Sequence, residues 1–222
     1  MKRAALLVLG LALAVEAGSA LGEENKPMIV DFAALTSLEP DFTTGRTGEG
    51  GAAEWTIVDD SSAERGRAIA QVSKDKTDYR FPLAIYQPFT GKDLEASVRF
   101  KAVAGTVDQA GGIAIRLQTP DNYYVVRANA LEDNVRFYRV VKGKREQLAG
   151  VNVKVAGNTW HTLALRAEGD RFSISYDRKP LFAAQDATFP NAGKVALWTK
   201  ADSITHFDTL TIRPLPGEGK QP

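Results

Sequence analysis

One stretch of alternating apolar and polar residues, 111–141, constrains the fold more than any other part of the sequence. It reads GGIAIRLQTPDNYYVVRANALEDNVRFYRVV, and its alternation is interrupted at TPDN (119–122) and again at LEDN (131–134). A period of two with turn-forming residues between the runs is typical of consecutive antiparallel strands. The stretch therefore predicts three strands joined by two hairpins, with one apolar and one polar face.

Treating each interruption as a four-residue turn gives a register for these strands. In the first hairpin Ile115 then lies opposite Val126, and Ile113 opposite Ala128, so that apolar residues meet on one face. In the second hairpin one residue does not fit, because Arg139 falls on the apolar face opposite Val126. A bulge or an exposed strand end would account for it.

The rest of the chain repeats short alternating segments with turns between them. Strands are predicted at residues 28–32, 54–58, 68–73, 80–87, 93–102, 146–148, 151–155, 159–167, 171–176, 181–184, 194–200 and 205–212. Residues 36–53 are predicted as a long loop, and Pro82 is expected at an edge or at the start of its strand. Many short strands and almost no helical periodicity predict an all-β sandwich rather than an α/β protein.

The first twenty residues have the features of a secretory signal. Residues 1–3 are positively charged, residues 4–15 are apolar, and Gly18-Ser19-Ala20 is a small-residue cleavage site. The apolar run is short for a membrane span, although an uncleaved anchor is the alternative. We expect a secreted or periplasmic protein cleaved near Ala20, with a leader at 21–27, one domain at 28–213 and a polar tail at 214–222.

Charge and cysteine content exclude several classes of partner and linkage. Cleavage after Ala20 would leave 26 of the 28 basic and 26 of the 27 acidic residues, so that the mature chain has no formal net charge. Nucleic acid and anionic lipid usually select a basic surface, and neither is expected as the main partner. The sequence contains no cysteine, which excludes disulfides and lipid attachment through an N-terminal Cys.

The polar face of the three-strand stretch carries the predicted binding site. Its members are Arg116, Tyr123, Arg127, Asn129, Arg136 and Tyr138, and the strand at 194–200 adds Trp198 and Lys200. Guanidinium and amide groups form paired hydrogen bonds with hydroxyls, and an aromatic ring accepts the apolar side of a pyranose. A carbohydrate ligand fits this set. The alternatives are a solvated face on which Arg127 contacts Tyr138, and a Trp198 that packs beneath a loop.

The segments PDNYYVVRANALEDNVRFYRVVKGKR, NTWHTLALRAEGDRFSISYDRKPLF and GKVALWTKADSITHFDTLTI resemble bacterial secreted domains of the concanavalin A-like lectin/glucanase superfamily. Within it the chain is similar to the group labelled 3-keto-disaccharide hydrolase. The resemblance implies a two-sheet antiparallel jelly roll of the laminin-G-like type, with one concave face where relatives bind or process sugars. It also implies that the first and last strands pair.

Catalysis is less well supported than binding. Retaining glucanases of this fold place their carboxylates on one strand as Glu-x-Asp-x-x-Glu, and this chain lacks that pattern. Weak catalytic candidates remain at Asp121, Glu132, Asp133 and Asp202. Two histidines far apart in sequence predict no metal cluster, and no cofactor is expected, although oxygen atoms in the turns leave calcium possible.

Three functions remain compatible with the sequence. The first is an exported, non-catalytic carbohydrate-binding domain that uses the polar face. The second, implied by the resemblance, is a hydrolase or lyase acting on 3-keto glycosides. The third is a structural or protein-binding sandwich of the cell envelope. The residues favour the first, because they supply a binding face but no catalytic carboxylate pair.

Overall fold

The alternating segments of the sequence form fifteen β-strands in the residues that the computed structural model describes, 26–216. The strands are β1 (Met28–Asp31), β2 (Phe42–Gly48), β3 (Trp55–Asp59), β4 (Arg67–Gln71), β5 (Arg80–Gly91), β6 (Leu94–Ala104), β7 (Ala110–Thr119), β8 (Asn122–Asn129), β9 (Asn134–Val141), β10 (Lys144–Asn152), β11 (Trp160–Glu168), β12 (Arg171–Tyr176), β13 (Lys179–Gln185), β14 (Gly193–Trp198) and β15 (Ile204–Pro214). A single 3₁₀ turn, Phe32–Ala34, accompanies them in this part of the chain.

The strands build two antiparallel sheets. The first sheet has the order β13-β12-β11-β6-β15-β4-β3, with β1 also paired to β15, and the second has the order β10-β9-β8-β7-β14-β5-β2. Neighbours distant in sequence, such as β7 and β14, are typical of a jelly roll. The predicted fold class, an all-β two-sheet antiparallel jelly roll, is confirmed, and so is the pairing of the first and last strands.

The core lies between the two sheets and is formed by alternate residues of their strands. In β6 the side chains of Leu94, Ala96, Val98 and Phe100 are buried, as the alternation predicts. From the second sheet, Tyr124 contacts Phe172 of the first sheet with ring centroids 4.7 Å apart. Burying these side chains contributes roughly 1.5–3 kcal/mol for each large apolar group.

The predicted register of the central hairpins is wrong by two residues, but the predicted faces hold. Ile113 lies opposite Val126, and Ile115 opposite Tyr124, because a bulge follows Ile115. In the second hairpin the partner of Arg139 is Tyr124 rather than Val126. A shift of two leaves the regularly paired side chains on their original faces, whereas a shift of one would have exchanged the faces. Arg116, inside the bulge, is the exception.

Arg139 lies on the core face, as its position in the alternation requires. Its guanidinium reaches Asp186 at 2.8 Å and Glu146 at 2.9 Å. It also donates to Thr188 Oγ1 at 3.1 Å. These partners at the margin of the sandwich allow a charged group to occupy a core-facing position.

Three further predictions on the strands need correction. The predicted loop 36–53 contains β2, which pairs with β5; its threonines and glycines do not form an alternating pattern. The two predicted strands at 146–148 and 151–155 fall in one strand, β10, which ends at Asn152 and has a bulge between Gln147 and Ala149. Pro82 is the third of the twelve residues of β5, which lies inside the second sheet, so of the two predicted positions the edge is wrong and the start of the strand holds.

The predicted secretory signal at 1–20 lies outside the described residues, as do most of the leader and most of the tail. Export therefore stays a prediction. Within residues 26–216, no helix has the length and apolar character needed to cross a bilayer.

Candidate functional site

The outer face of the second sheet is strongly concave. Arg145 belongs to the edge strand β10, yet its guanidinium carbon lies 4.6 Å from the ring centroid of Phe81 in β5, near the other edge. The hydroxyl of Tyr79, just before β5, donates to the carbonyl oxygen of Gly143 at 3.0 Å and accepts from the Arg145 backbone N–H at 2.8 Å. The sheet therefore curls until its two edges meet over the concave face.

Aromatic side chains fill the floor of this face. Phe81 and Trp198 are stacked with ring centroids 5.3 Å apart, and Trp198 Nε1 donates to the Tyr123 hydroxyl at 3.2 Å. Tyr123 is also within 2.7 Å of Thr47 Oγ1. Trp198 and Tyr123 are fully buried, so an exposed sugar-stacking platform at Trp198 is ruled out in this conformation. The curl of the sheet, which a flat strand pairing does not anticipate, covers them.

Arg116 does not belong to the concave face, which corrects its predicted position. The residue lies in the bulge of β7, between Ile115 and Thr119, has a φ of 48°, and is fully buried. Its guanidinium donates to the carbonyl oxygens of Lys92 at 3.0 Å, Phe189 at 3.0 Å and Gly169 at 2.6 Å. It also donates to the carboxylate of Asp93 at 3.3 Å. Arg116 therefore ties loops together at the margin of the sandwich, and burial lowers its pKa.

Polar side chains converge at one end of the concave face. We call them the polar cluster: Asp108, Arg127, Asn129, Glu132, Asn134, Tyr138 and Lys200. Arg127 is central, since it donates to Glu132 at 2.8 Å, to the Tyr138 hydroxyl at 3.1 Å and to the Asn134 side-chain oxygen. Four of the predicted ligand-binding residues, Arg127, Asn129, Tyr138 and Lys200, thus lie in one connected network.

A buried ion pair completes the polar cluster. Lys200 Nζ lies 3.0 Å from Asp108 Oδ2, and Asn129 Nδ2 donates to Asp108 Oδ1 at 2.9 Å. Burial raises the pKa of Asp108, against the opposing influence of Lys200. Burial also works against the charge of Lys200, but contacts with Asp78 and Asp108 outweigh it and raise the Lys200 pKa.

Side-chain to backbone hydrogen bonds in two loops hold the polar cluster in place. Asn129 Oδ1 accepts the backbone N–H of Leu131 at 2.9 Å and that of Glu132 at 3.2 Å, which fixes the β8–β9 turn. Asp202 accepts the backbone N–H groups of Thr106, Val107 and Asp108, which fixes the β6–β7 loop and hence Asp108. Asp202, predicted as a weak catalytic candidate, is therefore occupied in organising that loop.

The other catalytic candidates, Asp121, Asp133 and Glu132, do not form a pair, because each has different partners. Asp121 lies in the exposed β7–β8 turn, where its carbonyl oxygen accepts the Gly143 N–H at 2.9 Å. Asp133 pairs with Lys154 at 2.9 Å and caps the Val155 N–H at 3.0 Å. Of the four, Glu132 alone belongs to the polar cluster. Among residues 26–216, no group of three or more His, Cys, Asp or Glu side chains is arranged to hold a metal ion.

Arg136 lies on the concave face outside the polar cluster. Its guanidinium donates to Asn152 at 2.6 Å. A Cβ on Gly150, the residue opposite it in β10, would lie 2.4 Å from Arg136 Cδ. The absence of a side chain at Gly150 therefore lets Arg136 lie flat across the edge strand.

Sequence reasoning missed several members of the concave face. Asp108 sits in a loop, GTVDQA, without any motif, and only the fold brings it beside Lys200. Arg145 belongs to the basic run KGKR, a signal that could have been followed, and its guanidinium carbon lies 4.5 Å from the Tyr138 ring centroid. Asn134 ends the predicted turn LEDN and was treated as a turn residue.

The rim of the polar cluster is open and partly apolar. The Glu132 side chain is 45% exposed, and the neighbouring residues Val107 and Leu131 are exposed hydrophobic side chains. Fixed donors and acceptors beside exposed apolar groups can take vicinal hydroxyls and an apolar ring face together.

Comparison with known proteins identifies a family. The model of the family described as galactocerebrosidase, C-terminal lectin domain, matches residues 95–215. The matched segment contains the whole polar cluster and most of the concave sheet. A search of curated protein sequences found no significant match.

Solved structures with the same architecture include binding modules and glycoside hydrolases. The carbohydrate-binding module CBM66 from Bacillus subtilis is 22% identical with a TM-score of 0.62, over 78% of this chain and 95% of that one. A family 16 endo-glucanase from Bacteroides ovatus is 12% identical with a TM-score of 0.61, over 83% and 99%. A Bacillus licheniformis β-glucanase is 14% identical with a TM-score of 0.56, over 86% and 98%. At these identities the likeness shows a shared fold.

Proposed function

The chain belongs to the family of the galactocerebrosidase C-terminal lectin domain, and from this we propose that it is a carbohydrate-binding jelly-roll domain whose site is the polar cluster. The observation that carries the assignment is the convergence of Arg127, Asp108 and Lys200 at one end of a concave sheet, beside the exposed carboxylate of Glu132. In this proposal the domain binds its glycan without cleaving it.

The geometry of the polar cluster suits hydroxyl groups. Glu132 and Asp108 are acceptors, Lys200 and Arg127 are donors, and each is held by another member of the cluster. Side chains already fixed in place lose little conformational entropy when a ligand binds. Leu131, exposed beside Glu132, supplies apolar surface for the ring carbons of a sugar.

A glycan microarray followed by titration of the best ligand tests this function. Glu132→Gln should weaken binding by about tenfold, because an ionised acceptor becomes a neutral one, and Leu131→Ser should weaken it less. Glu168→Gln is the matched control, since Glu168 pairs with Arg166 at the opposite sheet and should leave affinity unchanged. Wild-type protein that binds no glycan, or binding that neither Glu132→Gln nor Leu131→Ser weakens, would contradict the proposal.

The proposed site of action is outside the cytoplasm. The support is the pattern of residues 1–20, a charged start followed by an apolar run and a small-residue cleavage site. N-terminal sequencing of the protein from secreted or periplasmic fractions should find a start near residue 21. An intact Met1 in the recovered protein would contradict export by this route.

A second candidate function is hydrolysis of 3-keto-disaccharides, which the sequence resemblance implies. One observation favours it: burial raises the pKa of Asp108, and a carboxyl group with a raised pKa is what a general acid requires. Incubation of the protein with a 3-keto-disaccharide should then release monosaccharide, and Asp108→Asn should abolish the release. Absence of product above background, with and without calcium, would leave binding as the function.

A further inference from the structure

Arg145 occupies an unusual position on the concave face. Its guanidinium carbon lies 4.5 Å from the Tyr138 ring centroid, 4.6 Å from that of Phe81 and 5.9 Å from that of Trp198. Its backbone N–H is held by the Tyr79 hydroxyl. Three rings and one hydrogen bond thus fix the charge in place, and aromatic contacts of this kind orient a guanidinium.

The charge of Arg145 has no counter-ion within the described part of the chain. Its side chain takes part in none of the salt bridges or hydrogen bonds found there, and Nη1 is buried without a partner. The acids of the polar cluster are already paired, Glu132 with Arg127 and Asp108 with Lys200. A partly desolvated guanidinium without an anion is costly, and an incoming anion would remove that cost.

The surrounding hairpin is also strongly basic. Residues 134–152, which form β9 and β10, contain Arg136, Arg139, Lys142, Lys144 and Arg145 against the single acid Glu146. Of these cations only Arg139 forms salt bridges with described residues, to Glu146 and Asp186. A chain with nearly balanced charge therefore concentrates unpaired positive charge at one hairpin, which favours an anionic ligand there.

Arg145 and the polar cluster share one residue. The Tyr138 ring lies 4.5 Å from the guanidinium carbon of Arg145 and 5.7 Å from that of Arg127, which also donates to the Tyr138 hydroxyl. A ligand whose hydroxyls reach the polar cluster can therefore place another substituent at Arg145. Carboxylate and sulfate are the substituents that a planar guanidinium fork binds best.

We infer that the ligand of this domain is an acidic glycan whose carboxylate or sulfate group is bound by Arg145. The inference rests on the proposed function and adds the substrate class to it. The polar cluster takes the hydroxyls, and Arg145 takes the acid.

Matched pairs of polysaccharides test the inference by affinity gel electrophoresis and by calorimetric titration. Polygalacturonate is compared with its fully methyl-esterified form, and dextran sulfate with dextran, so that the two pairs separate carboxylate from sulfate. We expect one acidic member to bind at least about tenfold more tightly than its neutral partner, with affinity that falls as salt rises. Equal binding of the acidic and neutral members would overturn the inference and leave the proposed function intact.

Variants locate the anion. Arg145→Gln should abolish the preference for the acidic polysaccharide, Arg145→Lys should retain part of it, and Arg166→Gln, on the first sheet, should retain all of it. The melting temperature and the near-ultraviolet circular dichroism check that the variants remain folded. If Arg145→Gln does not fold, the test uses Arg145→Lys instead. A folded Arg145→Lys should show a preference for the acidic polysaccharide that is weaker than that of the wild type, and an unchanged preference would overturn the inference.

A second set of outcomes separates the site from non-specific attraction. Lys142 and Lys144 line a groove that Arg139, Arg145 and Thr188 also line, and a polyanion could bind the two lysines there by charge alone. A preference that survives Arg145→Gln but is lost in the Lys142→Gln/Lys144→Gln double variant would overturn the inference. If the wild-type protein binds none of the polysaccharides, acidic or neutral, the proposed function itself is contradicted.

Discussion

At the scale of single residues, the charged groups of the sandwich divide into those that hold loops and those that face the concave surface. Arg116 and Asp202 belong to the first group, since backbone groups supply most of their partners. Arg127 and Lys200 belong to the second: Arg127 binds side chains of the polar cluster, and Lys200 pairs with Asp108 of that cluster and with Asp78 beside it. Substituting the first group should therefore change stability, and substituting the second should change binding.

Asp202→Asn should lower stability in a pH-dependent way. Burial alone would raise the pKa of Asp202, but hydrogen bonds from Thr106, Asp108 and Val107 outweigh it and lower the pKa below its ordinary value of 3.8. A lowered folded-state pKa contributes stability above the ordinary value, and that contribution is lost as the pH falls through the lowered one. Urea unfolding should show a deficit of about 1–3 kcal/mol at pH 7 that shrinks below pH 3.8. A deficit independent of pH would contradict this account.

Arg116→Met should be among the most destabilising single substitutions. It would leave three carbonyl oxygens without their donor and Asp93 without its cation. Removing one partner from a buried charged network costs about 3–5 kcal/mol. Arg166→Met is the control, because the Arg166 side chain is 38% exposed and its partners Glu95 and Glu168 are also solvent-accessible, so that its loss should change the unfolding free energy by less than about 0.5 kcal/mol. Equal losses of unfolding free energy for the two substitutions would show that the buried contacts of Arg116 do not stabilise the fold.

At the scale of strands, alternation predicts which face a residue occupies better than it predicts which residue lies opposite. The core-facing assignments of Ile113, Val126 and Ala128 hold although the register moves by two, because only the parity of the position sets the face. The bulge after Ile115 has no local signal in the sequence. It redirects Arg116, the predicted site residue that the structure moves off the concave face.

The candidate site shows the same limit. Periodicity brings Arg127, Asn129 and Tyr138 to one face, and the structure joins them in the polar cluster. Asp108 could not be selected with them, because its proximity depends on a loop conformation. The KGKR run marks Arg145 as basic, but only the curl of the whole sheet brings its side chain to this face. The burial of Trp198 has the same origin. Whether the cluster binds a sugar stays a prediction.

Gly193→Ala tests the close approach of β14 to β7. A Cβ at this position would lie 2.4 Å from the backbone carbon of Arg116 and 2.7 Å from the Leu117 nitrogen, so the strands would have to separate. Overpacking of this kind costs about 1–3 kcal/mol. Gly157→Ala is the matched control, because its nearest neighbour, 3.3 Å away, is the end of the Gln109 side chain. Equal melting temperatures for the two variants would contradict the expected clash.

At the scale of the whole molecule, both sheets share one core, and the two ends of the described chain meet within the first sheet. β1 pairs with β15 from Met28 to Asp31, and the following turn carries Phe32, which is fully buried against Phe42. Arg67 donates to the carbonyl oxygens of Ala33 and Leu35 at 3.2 and 3.0 Å. The first strand is therefore part of the cooperative unit, although it is short and remote in sequence from its partner.

A chain that begins at residue 36 should accordingly lose stability throughout the sandwich. It lacks the β1 ladder and the buried Phe32 ring, and loss of a buried Phe side chain alone costs about 3–5 kcal/mol. Thermal unfolding should remain a single transition at a lower melting temperature, because both sheets contribute to the same core. Ile29→Ala is the control within the same segment, since Ile29 is exposed and its truncation should change little. An unchanged melting temperature for the shortened chain, or two separate transitions in the full-length protein, would contradict the single cooperative sandwich.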